Sequence, residues 1–195
     1  CDRYRVHLIA DEIMVGFGRT GTLFAHEQAG VRSDFLCLSK GLTGGYLPLS
    51  VVLTTEDVFA AFYDDAVTRG FLHSHSYTGN PLACRAALAT LDIFAEDDVL
   101  NRNQRFAERF SALLEPLARH PQARHFRHTG MIWAVDIATD DPDFRLRFYR
   151  EALQCEVLLR PLGTTVYFMP PYVLCDEEAV LLAERAAAAL DAALA

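Results

Sequence analysis

Two short apolar runs bracket a glycine-rich turn near the start of this sequence, and each run ends in a charged group. Arg5 to Ala10 (RVHLIA) leads into Asp11-Glu12, and Phe35 to Ser39 (FLCLS) leads into Lys40. Runs of this length, separated by a turn and a crossover, have the pattern of parallel strands buried on both faces. Parallel strands bring their C-terminal ends to one edge of the sheet, where open α/β sheets bind ligands. The spacing therefore predicts both carboxylates and the Lys40 amine along one edge, with Gly16 to Gly21 as the turn between.

The remaining pattern alternates sheet and helix. Leu49 to Leu53 (LSVVL) reads as a third strand, and Thr55 caps a helix with Glu56 and Asp57 in its first turn and Phe59 and Phe62 on its buried side. Gly79-Asn80-Pro81 opens a longer helix through about Phe94, with Asn80 as cap and Pro81 at the first helical position. Asp97 or Asp98 caps the next, which runs to about Leu117 where Pro116 and Pro121 close it. Strands are predicted at Met131 to Ile137, Val157 to Arg160 and Val166 to Met169, with a helix from Asp141-Pro142 through about Leu153. A last helix starts at Asp176 and buries Val180, Ala183, Ala187, Leu190 and Leu194 at helical spacing. The expectation is an α/β chain: a sheet-and-helix block over residues 1–115 and a smaller α+β block over 116–195, joined by a long helix.

Composition narrows the partners. A formal charge of -8 and a pI near 5.3 argue against nucleic acid or an anionic membrane, leaving small molecules. No apolar run is long enough to span a bilayer. Cys1, Cys37, Cys84, Cys155 and Cys175 include no CxxC pair, which suits reduced, buried thiols without disulfides in a cytoplasmic protein. The chain starts at Cys1 rather than Met and runs at once into a strand-like segment, so it is expected to be the C-terminal part of a longer protein. On that expectation these residues alone are inactive and not stably folded.

Four features carry candidate chemistry. Gly16-Phe17-Gly18-Arg19-Thr20-Gly21 satisfies GxGxxG and opens a dinucleotide-binding alternative, although Asp11 to Val15 intervene before the glycines. Lys40 could be a solvated strand cap, but Gly41 and Gly44-Gly45 would let a planar ligand approach the backbone. In His73-Ser74-His75-Ser76 the two imidazoles suggest a metal, yet no third ligand follows. The hydroxyls of Ser74, Ser76 and Thr78 before Asn80-Pro81 suit an anion at a helix N-terminus, with a plain capped loop as the alternative. Arg160, before Pro161, either pairs with a surface acid or grips a substrate carboxylate, and Tyr167 lies in the next strand. An acid and a lysine at adjacent strand ends suit pyridoxal phosphate: the amine forms a Schiff base and the carboxylate keeps the pyridine nitrogen protonated.

The segments LIADEIMVGFGRTG, DFLCLSKGLTGGYLPLS, HSHSYTGNPLACRAALATL and LLRPLGTTVYFMPPY resemble successive blocks of the class III pyridoxal-phosphate aminotransferases. They are most similar to the members that act in biotin biosynthesis, transferring an amino group from S-adenosylmethionine to 8-amino-7-oxononanoate. The resemblance implies the type I aminotransferase fold, with a mostly parallel large-domain sheet and a small C-terminal domain, in a homodimer with shared active sites. It implies pyridoxal 5'-phosphate as cofactor, Asp11 on the pyridine nitrogen, and Lys40 as Schiff-base lysine and proton shuttle. Ser76, where the family usually has threonine, would reach the cofactor phosphate of the neighbouring subunit, with His75 beside it. Ser74 and His75 stand where the family commonly has Gly-Pro. Ser74, Lys40, Arg160 and Tyr167 would line the substrate site, Arg160 on the substrate carboxylate. Aminotransferases of the same class acting on ornithine, an ω-amino acid or a diamine, or using lysine as donor, share Asp11 and Lys40. A dehydrogenase and a non-catalytic cofactor sensor also remain open.

Overall fold

In the computed structural model, which describes all of residues 1–195, the chain divides into two compact units, Cys1–Leu100 and Asn101–Ala195. The first contains a three-stranded sheet ordered β1 (Ile9–Asp11), β2 (Phe35–Leu38), β3 (Val51–Thr54). β1 and β2 are parallel, with Ile9 beside Phe35, Ala10 beside Leu36 and Asp11 beside Cys37. β3 instead runs antiparallel to β2, Leu38 facing Val51 and Phe35 facing Thr54, so the sheet is mixed. The link between them reverses through a short 3-10 turn at Lys40–Thr43 and contains no crossover helix, which is what a parallel neighbour requires.

These strands are not buried on both faces. Ile9, Val52 and Leu53 are at least half exposed, because the core here is small: Phe17, Leu38, Leu42 and Ala87, ringed by Leu23, Phe24, Leu36, Leu49, Val51 and Phe94. Helix α1 (Glu56–Ala60) is only a short turn. Phe59 and Phe62 are exposed rather than inward-facing, stacking on Tyr63 and packing on Phe71 respectively. Helix α2 (Pro81–Glu96) follows the expected punctuation. The Asn80 side chain accepts from the amides of Leu82 at 2.9 Å and Ala83 at 3.4 Å, and Ala83 and Ala87 turn inward.

The second unit comprises nearly all of α3 (Val99–Leu113), then α4 (Glu115–Ala118), β4 (Ala123–Thr129), β5 (Ile132–Ile137), α5 (Phe144–Gln154), β6 (Thr165–Phe168) and α6 (Asp176–Leu194). Its sheet is antiparallel in the order β4-β5-β6. Strict alternation along β5 buries Trp133, Val135 and Ile137, which join Phe110, Leu114, Phe144, Phe148 and Leu190 in the larger core. Trp133 packs edge-on to Phe110 at 4.8 Å between ring centres and donates its indole N–H to Ser111 Oγ at 2.8 Å. Helix α6 presents Ala179, Ala183, Ala186, Ala189, Leu190 and Ala193 to that core, while Val180 is turned toward solvent. Val157 to Arg160 forms no strand and pairs with none; Val157 and Leu159 anchor it inward and Leu158 is exposed. All five cysteines are free, but none is fully buried: Cys1 and Cys175 are exposed and the other three are half-buried. No helix is long and apolar enough to cross a membrane.

Candidate active site

Parallel pairing fixes the relation between acid and lysine in the first unit. Asp11 ends β1 beside Cys37, and Lys40 follows just past the end of β2. Both are exposed at the edge formed by the C-terminal ends of these strands. The Asp11 carboxylate accepts the amide of Ile13 at 3.1 Å, which starts the turn that follows.

Lys40 is held in an uncommon backbone conformation. Its φ of 42° lies in the left-handed region, which a side chain other than glycine seldom adopts. Local bonds enforce it: the Leu42 amide donates to Ser39 O at 2.9 Å and the Gly45 amide to Lys40 O at 3.3 Å. The Ser39 and Thr43 hydroxyls donate to the carbonyls of Leu49 and Leu47. Strain held in place by its surroundings concentrates at functional positions.

Glu12 departs from the expectation that both carboxylates line the edge. Successive residues at a strand end point to opposite sides, and Glu12 is 2% exposed. Its carboxylate accepts the Ala25 amide at 2.7 Å, the His26 amide at 2.7 Å, and pairs with the His26 ring Nδ1 at 2.9 Å. A buried carboxylate needs such donors to offset its lost hydration.

Gly41 is likewise not open to a ligand. A Cβ there would stand 3.0 Å from Phe17 Cβ and 3.2 Å from Phe17 Cγ, so the Phe17 ring occupies the space. Phe17 is itself 3% exposed at φ 58°. Open backbone remains at Gly45, which has nothing within 4 Å of its missing side chain. The GxGxxG segment closes as a turn, the Gly18 amide donating to Leu23 O and the Gly21 amide to Gly18 O. It begins no helix, so it lacks the helix N-terminus that holds a dinucleotide pyrophosphate. Glu12 was expected at the ligand edge with Asp11 and is instead buried, and the packing of Phe17 against Gly41 had no signal in the sequence beyond its place in the glycine turn.

Ser74, His75 and Ser76 are exposed in a turn before α2. The Thr78 amide donates to His75 O at 2.9 Å, the His75 amide to Thr78 Oγ1 at 3.0 Å, and the Tyr77 amide to His75 Nδ1 at 3.1 Å. Asn80 caps the Leu82 and Ala83 amides, and Ser74 and Ser76 are exposed along with His73, His75, Tyr77 and Thr78. No three His, Cys, Asp or Glu side chains gather as a metal site. In the second unit Arg160 is exposed between buried Leu159 and Pro161, on a segment that belongs to no strand. Tyr167 is half-buried on β6 opposite Ala134.

Comparison with known proteins matches residues 1–190 to the family model "Aminotransferase class-III". The chain belongs to this family. Among curated class-III relatives, the adenosylmethionine-8-amino-7-oxononanoate aminotransferase of Helicobacter pylori is 44% identical over 184 residues, 91% of this chain and 42% of the relative. The crystal structure of the enzyme of that name from Methanocaldococcus jannaschii superposes with a TM-score of 0.90 at 31% identity, covering 98% of this chain and 47% of that one. An (S)-enantioselective omega-transaminase from Thermomicrobium roseum gives a TM-score of 0.88 at 30% identity, covering 100% of this chain and 45% of that one. The chain thus spans about two fifths of the length of the curated relative it matches. Class-III aminotransferases use pyridoxal 5'-phosphate, and the first unit's groups fit that cofactor: an amine for its aldehyde, an acid for its ring nitrogen, and open backbone at Gly45.

Proposed function

We propose that this chain carries the lysine-bearing part of a pyridoxal-phosphate transaminase site. Its reaction would convert 8-amino-7-oxononanoate to 7,8-diaminononanoate with S-adenosylmethionine as amino donor, a step of biotin biosynthesis. The observation that carries the reading is the exposed Asp11 and Lys40 at adjacent parallel strand ends of a class-III chain. Bound there, pyridoxal phosphate supplies an aldehyde that takes up the amino group and a ring that accepts electrons. The Lys40 amine would hold the cofactor through its aldehyde and, when free, would move a proton to and from the reacting carbon. The Asp11 carboxylate holds a proton on the pyridine nitrogen. Ser76, with His75 beside it, hydrogen-bonds the phosphate across a homodimer interface. Arg160 grips the carboxylate of the amino-oxononanoate, and Tyr167 and Ser74 line the substrate site. The transfer would be ping-pong, with the donor leaving as S-adenosyl-4-methylthio-2-oxobutanoate before the acceptor takes the amine.

The surrounding architecture in this reading is the type I aminotransferase fold in a cytoplasmic homodimer, with the large domain ending near residue 115 and the small domain following. The run of exposed apolar side chains Tyr63, Val67, Phe71, Leu72 and Tyr77 supports a covered surface there. A second reading, an ω-amino-acid or diamine transaminase, is favoured by the closeness of the Thermomicrobium roseum structure. Half-reactions of the intact enzyme with S-adenosylmethionine, lysine and simple amines decide between them. Conversion of the bound cofactor to its amine form by S-adenosylmethionine alone is the result expected here. Conversion by ω-amino acids but not by S-adenosylmethionine favours the second reading.

A further inference from the structure

We infer that Glu12 is a positioning residue that sets the placement of Asp11 and Lys40, an inference that rests on the cofactor reading above. Its backbone and side chain act in three directions at once. The Glu12 amide donates to Cys37 O at 3.0 Å, tying the end of β1 to β2 just before Lys40. Its carbonyl accepts the Gly16 amide at 3.0 Å, which starts the glycine turn. Its buried carboxylate takes the Ala25 and His26 amides and the His26 ring, which lie at the far end of the same turn. One side chain therefore closes residues 13–24 into a loop pinned at both ends.

Inside that loop Phe17 seats against Gly41, the residue after the lysine. Phe17 also packs on Phe24 at 5.6 Å and Phe94 at 6.2 Å between ring centres. Releasing the loop loosens the turn that follows Asp11 and removes the support beneath Gly41, while the backbone pairing of β1 with β2 stays in place. Glu12→Gln keeps the shape but sets an amide N–H2 against a backbone amide that is already a donor. His26→Ala removes only the ring contact and leaves both backbone donors in place.

The test uses the intact holoenzyme, with Asp11→Asn and Lys40→Ala as references. Glu12→Gln is expected to weaken pyridoxal phosphate about ten- to hundredfold, the usual scale for a partner that orients a ligating group. At saturating cofactor it should also move the pH midpoint of the cofactor's visible absorbance in the same direction as Asp11→Asn. His26→Ala should do the same with a smaller loss, about threefold. A residue that only stabilised the fold would lower the melting temperature and leave affinity and midpoint as in the wild type; that outcome overturns the inference. If Glu12→Gln does not fold, His26→Ala decides: a shift in the same direction supports the role and wild-type values overturn it. If Asp11→Asn and Lys40→Ala both keep the wild-type spectrum, the cofactor reading itself fails, and the inference with it.

Discussion

Lys40 and its neighbours put backbone conformation, packing and chemistry into a few residues, and glycines mark where a side chain cannot go. Alanine at Gly16 would bring its Cβ 2.8 Å from Glu12 O, a backbone atom with little freedom to yield. Alanine at Gly41 would press on the Phe17 ring. Each substitution is expected to destabilise by about 1–3 kcal/mol, the usual cost of overpacking, and to weaken cofactor binding. Gly30 supplies the control, because it has φ 60° but open space around its missing side chain. Gly30→Ala should cost roughly 1–2 kcal/mol for the left-handed backbone alone and leave cofactor affinity unchanged. Thermal unfolding together with cofactor titration checks all three; equal affinity loss at Gly30 would count against the packing argument.

Among the elements, helix α2 and the antiparallel sheet each allow a direct check. Asn80→Ala removes the acceptor for two amides of α2 and should cost about 1 kcal/mol in chemical denaturation. In the sheet, the Arg127 guanidinium forks onto Asp136 at 3.0 and 3.1 Å, and Thr165 Oγ1 donates to it at 2.7 Å. The Arg127 bond first, then Thr165, holds the Asp136 carboxyl below its ordinary value of 3.8. A carboxyl with a depressed folded-state pKa stabilises above its unfolded value and loses that contribution as pH falls through it toward the lower folded one. Wild type should therefore exceed Asp136→Asn in stability at neutral pH, with the gap closing below about pH 4; urea midpoints across pH measure it. The elements legible in the sequence were those with a pattern of their own: β2, α2, β5, α5, β6 and α6 came close to their expected bounds. β4 (ARHFRHT) was invisible because its exposed edge carries charge rather than an apolar run. Val157 to Arg160 looked like a strand because it opens with the apolar run VLL, but Val157 and Leu159 are buried without any ladder partner. Of the site, Asp11 and Lys40 were legible from strand ends, whereas Glu12 was not, since only the alternation of the chain turns it inward.

At the scale of the whole molecule the two units differ in how much they bury. The second holds a core built on Trp133, Phe110, Phe144, Phe148 and Leu190, while the first has a core of four buried residues, none of them fully enclosed, and an exposed segment over 61–79. Opening free energy follows local burial, so amide exchange should be slowest in β5 and α6 and fastest across 61–79; the reverse order would contradict the assignment of the two cores. Trp133→Ala should cost about 3–5 kcal/mol, read as a lowered unfolding midpoint of the second unit. The central claim concerns a single amine, and one measurement addresses it most directly: borohydride reduction of the cofactor-loaded intact enzyme followed by peptide mapping. The account predicts one reduced pyridoxyl label, on Lys40, lost in Lys40→Ala; a label on another lysine, or cofactor retained with no lysine labelled, would contradict it.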